Sequence, residues 1–365
     1  MTAAVRWCLV ALVVGTLVAI PPVIAALPAS EPDEGTAELL QRVQGSAAVA
    51  HTGYAETDGA LTLPVTDDFS DTADLLGDAN RLRVWWRHSA DWRVDAVDTT
   101  GETDLFHDGI GTAVWNYQAA SAEYGPDSPA RLPRTADLVP SVLGRLVLGD
   151  ADAADVTRLP AMRVAGRDAI GLRLVPPEPQ SSIDRADVWV DAGSGLPLQV
   201  EVYGAGATRP FVSSRFLDVS LELPDAGTTR FTRPAGVEVR YDEALDIADA
   251  ADRFADVAAP LELAGLASRR PAGLPGAVGQ YGSGLTLLVA IPLWDRAAGP
   301  LRDQLETSPE AAQGPAGTSL TVGPLSMLLA PPTAEGSWLL TGTVGRSTLE
   351  RAAAQLAAGA VGARS

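Results

Sequence analysis

The 365-residue chain has no lysine, a single cysteine (Cys8) and three histidines, and each shortage closes off a class of function. Without lysine, no Walker A loop can supply the cation that reaches a nucleotide's terminal phosphates. One cysteine cannot build an internal disulfide framework, so stability must come from packing. His51, His88 and His107 have no histidine or cysteine partner at metal-ligand spacing. A G-x-S-x-G elbow is also missing, since Gly193-Ser194-Gly195 and Gly282-Ser283-Gly284 have the wrong spacing and read as turns. Every basic residue is arginine, and the formal net charge of -19 makes a body that repels nucleic-acid phosphate. Acidic pairs such as Asp67-Asp68 read as solvated surface in a chain with 46 acids. No catalytic, metal or cofactor motif emerges, so the chain reads as a binding protein and not an enzyme.

What is present begins with Trp7 to Leu27, an apolar run without a charged side chain. About 20 such residues suffice to cross a hydrocarbon core of roughly 30 Å. Arg6 precedes the run, and Glu31, Asp33 and Glu34 follow it. Positive charge stays on the cytoplasmic side, so one transmembrane helix with an extracytoplasmic body is expected. A cleaved leader is the alternative, because Ala25 and Ala29 are small residues in suitable places and Pro21-Pro22 breaks the helix before them. The length of the run favours the anchor. Cys8, near its start, reads as a small hydrophobe within it.

Apolar content of 46% with 20% charged residues supports real cores, and the length predicts two domains after the leader. A short amphipathic helix is expected over 36–43, with Leu39, Leu40 and Val43 on one side. Arg81 to His88 alternates as a strand, and Trp92 to Val97 follows a break at Ala90-Asp91, which predicts a hairpin. Asp108-Gly109 is a turn ahead of a strand at Ala113 to Tyr117. Leu138 to Leu148 predicts a helix, with Pro140 near its start and Gly149 past its end. Further strands are expected at Met162 to Val164, Ile170 to Val175 and Phe216 to Leu223. Asp187 to Asp191 and Leu198 to Tyr203 form the clearest hairpin, with Val188, Val190, Leu198, Val200 and Val202 on one face. Asp242 to Leu266 reads as a partly helical connection. A second unit follows, with a strand at Leu285 to Leu293 and two more apolar segments at Ser319 to Leu329 and Trp338 to Val344. Asp295 to Leu305 is helical but interrupted at Gly299-Pro300. A capping box at Ser347 to Glu350 opens a last helix.

Trp85 and Trp86 are adjacent in a strand, so they point to opposite faces. One must then meet a second layer, such as covering helices, or a cavity. Apolar side chains on both faces of one sheet are what a concave apolar binding surface requires.

Arg83-Val84-Trp85-Trp86 with Trp92-Arg93-Val94-Asp95, Gly101 to Gly109 with Trp115, and Val164 to Arg167 before Gly171 to Pro176 together resemble phrases of the LolA-like/RseB-like (MucB) superfamily, in particular of membrane-anchored sigma-E factor regulatory proteins of actinobacteria. Val190 to Leu198 is similar to a D-x-x-T-G-L-P-L hairpin with Ser194 for threonine, and Phe231 to Gly236 is similar to F-x-P-P-x-G. In the second unit, Gln280 to Leu285 and Leu339 to Val344 resemble the small C-terminal domain. One departure is Pro177 to Ser182, which lacks an Asp-x-x-Arg-Tyr sequence, so anti-sigma contacts do not carry over residue by residue.

The resemblance implies an α+β fold: a LolA-like incomplete antiparallel β-barrel enclosing helices, plus a small C-terminal α+β domain. The divisions are an anchor or signal peptide at 1–30, a lipid-binding-type domain at 31–240, a linker at 241–270 and the small domain at 271–365. It also implies an extracytoplasmic, membrane-anchored sensor of lipid or lipoprotein that binds the outer domain of an anti-sigma factor. An envelope lipid or lipoprotein carrier is the alternative. Burying an acyl chain yields about 0.8 kcal/mol per methylene, and no catalytic residue is required. Candidate cavity residues are Trp86, Trp115, Trp189, Val200 and Tyr203, each with ordinary core packing as its competing role. The pattern does not fix which face is inward.

Overall fold

The computed structural model describes residues 29, 34–59, 77, 79–97, 101–126, 133–241, 257–269, 276–333, 336–359 and 362–363. The apolar run 7–27 and the span expected there lie outside them, as do residues 242–256 of the expected connection. Among the described residues no helix is long and apolar enough to cross a membrane.

Helix α1 (Thr36–Gly45) buries Leu39, Leu40 and Val43, the stripe that i, i+1, i+4 spacing puts on one side. Each such side chain contributes about 1.5–3 kcal/mol when removed from water. The antiparallel meander after it comprises β1 (His51–Gly59), β2 (Ala79–His88), β3 (Asp91–Val97), β4 (Glu102–His107), β5 (Gly111–Asn116) and β6 (Ser121–Pro126). The turn between β2 and β3 falls at Ser89-Ala90, one residue earlier than the sequence pattern placed it. Helix α2 (Pro140–Leu148) has its proline in the first turn, where the missing N–H leaves no bond unmade. A side chain at Gly144 would bring its Cβ within 2.3 Å of Pro197 Cβ, so glycine is what lets α2 seat on the sheet.

A second meander follows: β7 (Val156–Val164), β8 (Arg167–Leu174), β9 (Ile183–Asp191), β10 (Pro197–Gly204) and β11 (Val212–Ser220). The chain returns through one helical turn at Ala226–Thr229 to β12 (Val239–Tyr241), which pairs in parallel with β6. All twelve strands form one sheet in the order β12-β6-β5-β4-β3-β2-β1-β11-β10-β9-β8-β7. The meanders join where β1 pairs with β11. The edge strands β7 and β12 do not pair with each other, so the sheet stays open and no closed barrel forms.

Alternation sorts this sheet into two faces. Leu82, Val84 and Trp86, Val94, Leu105, Leu198 and Val200 point under the helices and are almost fully buried. On the opposite face, at the β2–β6 end, Phe231, Val237 and Val239 of the returning segment pack on Phe106, Ala113, Trp115 and Ala122. Trp85 lies on this face, half-buried, with the Arg93 guanidinium 5.1 Å from its ring centroid.

The smaller unit is a six-stranded sheet. Its strands are β13 (Gly279–Tyr281), β14 (Leu288–Leu293), β15 (Ala312–Gly314), β16 (Gly317–Val322), β17 (Leu325–Leu329) and β18 (Ser337–Gly342), ordered β13-β14-β18-β17-β16-β15. Helix α3 (Asp295–Thr307) packs Ala298 and Leu305 on Leu320 and Leu329. Helix α4 (Arg346–Ala357) packs Leu349, Ala352 and Leu356 on Leu328 and Leu340. Leu328 and Leu329 are neighbours in a strand, so the helices cover opposite faces.

Two expectations are corrected here, the interruption of α3 and the capping box of α4, and two segments are given their form. The apolar segment Ser319 to Leu329 is a hairpin, turned where Gly323 takes a positive φ of 56°. Helix α3 runs through Pro300, the loss of one backbone bond being offset by its buried Ala298 and Leu305. Ser347 does not cap α4, whose N-cap is Gly345, and Glu350 pairs with Arg346 at 2.9 Å instead. The part of the connection that is described is extended, with Glu262–Leu263 pairing with Leu266–Ala267.

The loop that departs from the family phrase carries contacts between the two sheets. Ser182 N donates to Thr343 O at 3.0 Å, and Gly345 N donates to Gln180 O at 3.0 Å. Glu178 accepts from Ser283 Oγ and, at 3.0 Å, from Thr286 Oγ1. Ser182 Oγ donates to Pro324 O.

Candidate binding face

Register places four ring side chains in one row under the helices: His51 opposite Trp86, Trp86 opposite Trp92, and Trp92 opposite His107. Neighbouring strands lie roughly 4.8 Å apart, so rings on one face at one level stack with little adjustment. Centroid separations are 6.0 Å for His51–Trp86, 5.8 Å for Trp86–Trp92 and 5.2 Å for Trp92–His107, with planes within 20° of parallel. Trp86 Nε1 donates to Ala47 O at 2.9 Å, which orients the second ring of the row.

His51 is held neutral. Its Nδ1 lies 2.9 Å from Val49 O, which can only accept, so Nδ1 carries the proton. Nε2 then accepts from Ser141 Oγ at 3.0 Å. Burial lowers the pKa of this imidazole to about 4, overriding the carbonyl bond that favours the charged form. From α2, the Arg145 guanidinium lies over the Trp86 ring at 4.9 Å, and burial lowers its pKa to about 10.

On the opposite face, the next level of register lines up Arg83, Asp95, Asp104 and Trp115. Arg93 Nε donates to Asp95 Oδ1 at 2.5 Å and Nη2 donates to Asp104 Oδ2 at 2.7 Å. Its guanidinium lies 4.7 Å from the Phe106 centroid and 5.1 Å from that of Trp85. Arg83 donates to Glu102 Oε1 at 2.7 Å. The carboxylates of Asp95, Glu102 and Asp104 offer oxygens all within 4.8 Å of one another, a spacing a cation could bridge. Here the two arginines do the bridging, which makes the group an ion-pair network.

Three acids against two cations leave one excess negative charge in a buried place. Burial and the neighbouring Asp95 charge accordingly raise Asp104 to about 7, and Asp95 is raised by burial too. Between the ordinary carboxylate pKa and about 7, the folded chain holds a proton that the unfolded chain has released. Stability therefore falls as pH rises through that window. Asp104→Asn is expected to match the parent near pH 4, at the foot of that window, and to be more stable by about 1–2 kcal/mol at pH 8. Urea titrations at both pH values check this, and an unchanged pH slope would remove Asp104 as its source.

The five candidate cavity residues do not share one cluster, although Trp189 packs half-buried against the cluster that holds Trp86. Trp86 and Val200 lie on the helix-covered face, but in different clusters. Trp189 pairs beside Gln199 while Val188 pairs with Val200, so Trp189 is on the other face, its Nε1 3.4 Å from Pro160 O. Tyr203 shares that face; it donates to Glu201 Oε2 at 2.6 Å, Arg185 lies 3.7 Å from its ring centroid, and burial pushes its pKa up to about 12. Trp115 sits under the returning segment with Phe106. Two open pockets lie elsewhere. One of about 580 Å³ is bounded by Ala330, Pro331, Trp338, Ala353 and Leu356 in the smaller unit. Another of about 440 Å³ lies between Phe106, Tyr124 and Phe231. None of the five candidates lines either pocket.

Sequence reasoning missed His51, Trp92, His107 and Arg145 as parts of one face. The signal for Trp92 was available, because a hairpin turning at Ser89-Ala90 sets it opposite Trp86. Arg145 gave none, since only the tertiary position of α2 brings it over the ring.

No protein-family model and no curated protein matches the chain. Among solved structures, the Pseudomonas aeruginosa MucA/MucB complex matches with 17% identity and a TM-score of 0.50, over 87% of this chain and 96% of that one. A crystal structure of MucB matches with 16% identity and a TM-score of 0.48, over 89% of this chain and 98% of that one. A LolA superfamily protein from Nitrosomonas europaea covers 54% of this chain and 98% of its own, at 13% identity and a TM-score of 0.25. The chain has the fold of MucB through both of its sheets.

Proposed function

We propose that this chain acts by binding and not by catalysis, as an extracytoplasmic regulator that holds the outer domain of an anti-sigma factor and responds to an acyl lipid or lipoprotein. The observation that carries this reading is the fold shared with MucB over 87% of the chain, MucB having been solved in complex with MucA. The residue phrases and the missing catalytic groupings support it from the sequence. A protein of this kind controls its partner by covering or releasing it, so its chemistry resides in packing and polar contacts. The apolar run 7–27 then serves as the membrane anchor.

Capture of membrane partners with the full-length chain is expected to recover a single-span anti-sigma factor. Repeated recovery of none would overturn the reading. Mass spectrometry of the native N-terminus is expected to find residues 1–30 retained. Mature protein beginning after Ala25 or Ala29 would favour a mobile carrier over an anchored sensor.

A further inference from the structure

Arg145 is an unmatched charge on the helix-covered face. It is half-buried, its Nη1 is buried without a hydrogen-bond partner, and no carboxylate faces it among the described residues. Burial alone accounts for its weakened hold on its proton, with no acid acting in the other direction. The groups around it are the Trp86 ring beneath its guanidinium, the neutral His51 and Ser141. Several other partly buried guanidiniums of this chain are matched: Arg93 by Asp95 and Asp104, Arg173 by Asp187, and Arg167 by Asp191. An unmatched cation in a chain of net charge -19 is not there for want of acids.

A partly desolvated cation without a counter-charge costs stability, and it lacks the hydrogen bonds its fork could make. A single anionic oxygen group would remove both penalties at once, since carboxylate and phosphate oxygens fit the guanidinium fork. The surface beside it is apolar. Leu146, the next residue of α2, is 60% exposed, and Val142, one turn earlier, is half-buried. A side chain as large as leucine left in water next to a half-buried cation is the pairing that a molecule with an anionic head and an alkyl tail satisfies. The head neutralises the guanidinium while the tail lies along the outer side of α2.

We infer that Arg145 anchors the anionic head of a single-chain amphiphile, carboxylate or phosphate, whose tail covers Leu146 and Val142 on α2. This rests on the lipid-responsive part of the proposed function and specifies the head group that part leaves open. The site uses residues of one helix and the ring it stacks on, so its occupation bears directly on how α2 sits over the sheet.

The test uses the full-length chain and its Arg145→Met variant, titrated calorimetrically with dodecanoate, dodecyl phosphate, dodecyl maltoside and inorganic phosphate. Expected is binding of the two anionic amphiphiles by the parent and at least a tenfold weakening of both in the variant. The neutral maltoside should bind the two proteins equally within about twofold, and inorganic phosphate alone should not bind measurably. The variant should be no less stable than the parent in urea, because it loses an unmatched charge; Arg145→Lys, which keeps the charge, should retain anionic binding if the Met variant does not fold. Equal binding of anionic amphiphiles by parent and variant overturns the assignment of Arg145 while leaving lipid binding intact. Binding of no amphiphile at all by the parent overturns the lipid part of the proposed function as well. Inorganic phosphate binding as tightly as dodecyl phosphate would overturn the role of the tail. Preference between dodecanoate and dodecyl phosphate assigns the head chemistry and supports the inference either way.

Discussion

Trp86→Ala is expected to lower the free energy of unfolding by about 3–5 kcal/mol, the range for emptying a large aromatic from a packed interior. Trp86 is 4% exposed and is the hub of the aromatic row. Its ring touches His51 on one side and Trp92 on the other, and it donates to Ala47 O. The substitution empties the space beneath Arg145 as well, so a cation that now rests on a ring would face a void. Collapse into that void is resisted because α2 is already seated through Gly144 on Pro197. Chemical denaturation followed by tryptophan fluorescence and circular dichroism measures the loss. A change below 1 kcal/mol would mean that Trp86 stands in open space and that the row is a liner of a hollow.

Arg93→Ala is expected to cost a similar amount, about 3–5 kcal/mol near neutral pH, because it strands two buried carboxylates. Asp95 and Asp104 have side chains only 1% exposed, and Arg93 bonds to both. Arg83 remains, but its Nε is 4.0 Å from Asp95, too far to replace a direct bond. The loss should shrink as pH falls below about 7, where Asp104 takes up a proton and no longer needs the cation. Measuring unfolding in urea from pH 5 to pH 8 separates this from simple loss of packing against Phe106 and Trp85. Packing alone would cost the same at every pH.

Much of this was legible from local pattern. The period-2 set Val188, Val190, Leu198, Val200 and Val202 and the helix with Pro140 at its start were readable because each is decided by neighbours in sequence. The same alternation also separates Trp189 and Tyr203 from Val200, a consequence that a search for one apolar hollow passed over. What the pattern does not contain is the return of residues 226–241 across the back of the β2–β6 meander. That segment has little periodicity, with Phe231, Val237 and Val239 spread among polar residues. The Arg93 network was equally hidden, since Asp95 and Asp104 meet only through strand register.

One feature of the sheet bears on how the molecule comes into being. Its two meanders are built from neighbours in sequence, but the seam joining them is not: Glu56 on β1 meets Arg215 on β11 across 159 positions. Until β11 has been synthesised, β1 has β2 along one side and nothing along the other. Such distant pairings are slow to form, since a long loop must be closed before any contact rewards it. Each half therefore has time to assemble as a separate piece, and the newborn chain carries an uncovered strand margin that invites pairing with another copy until the seam closes.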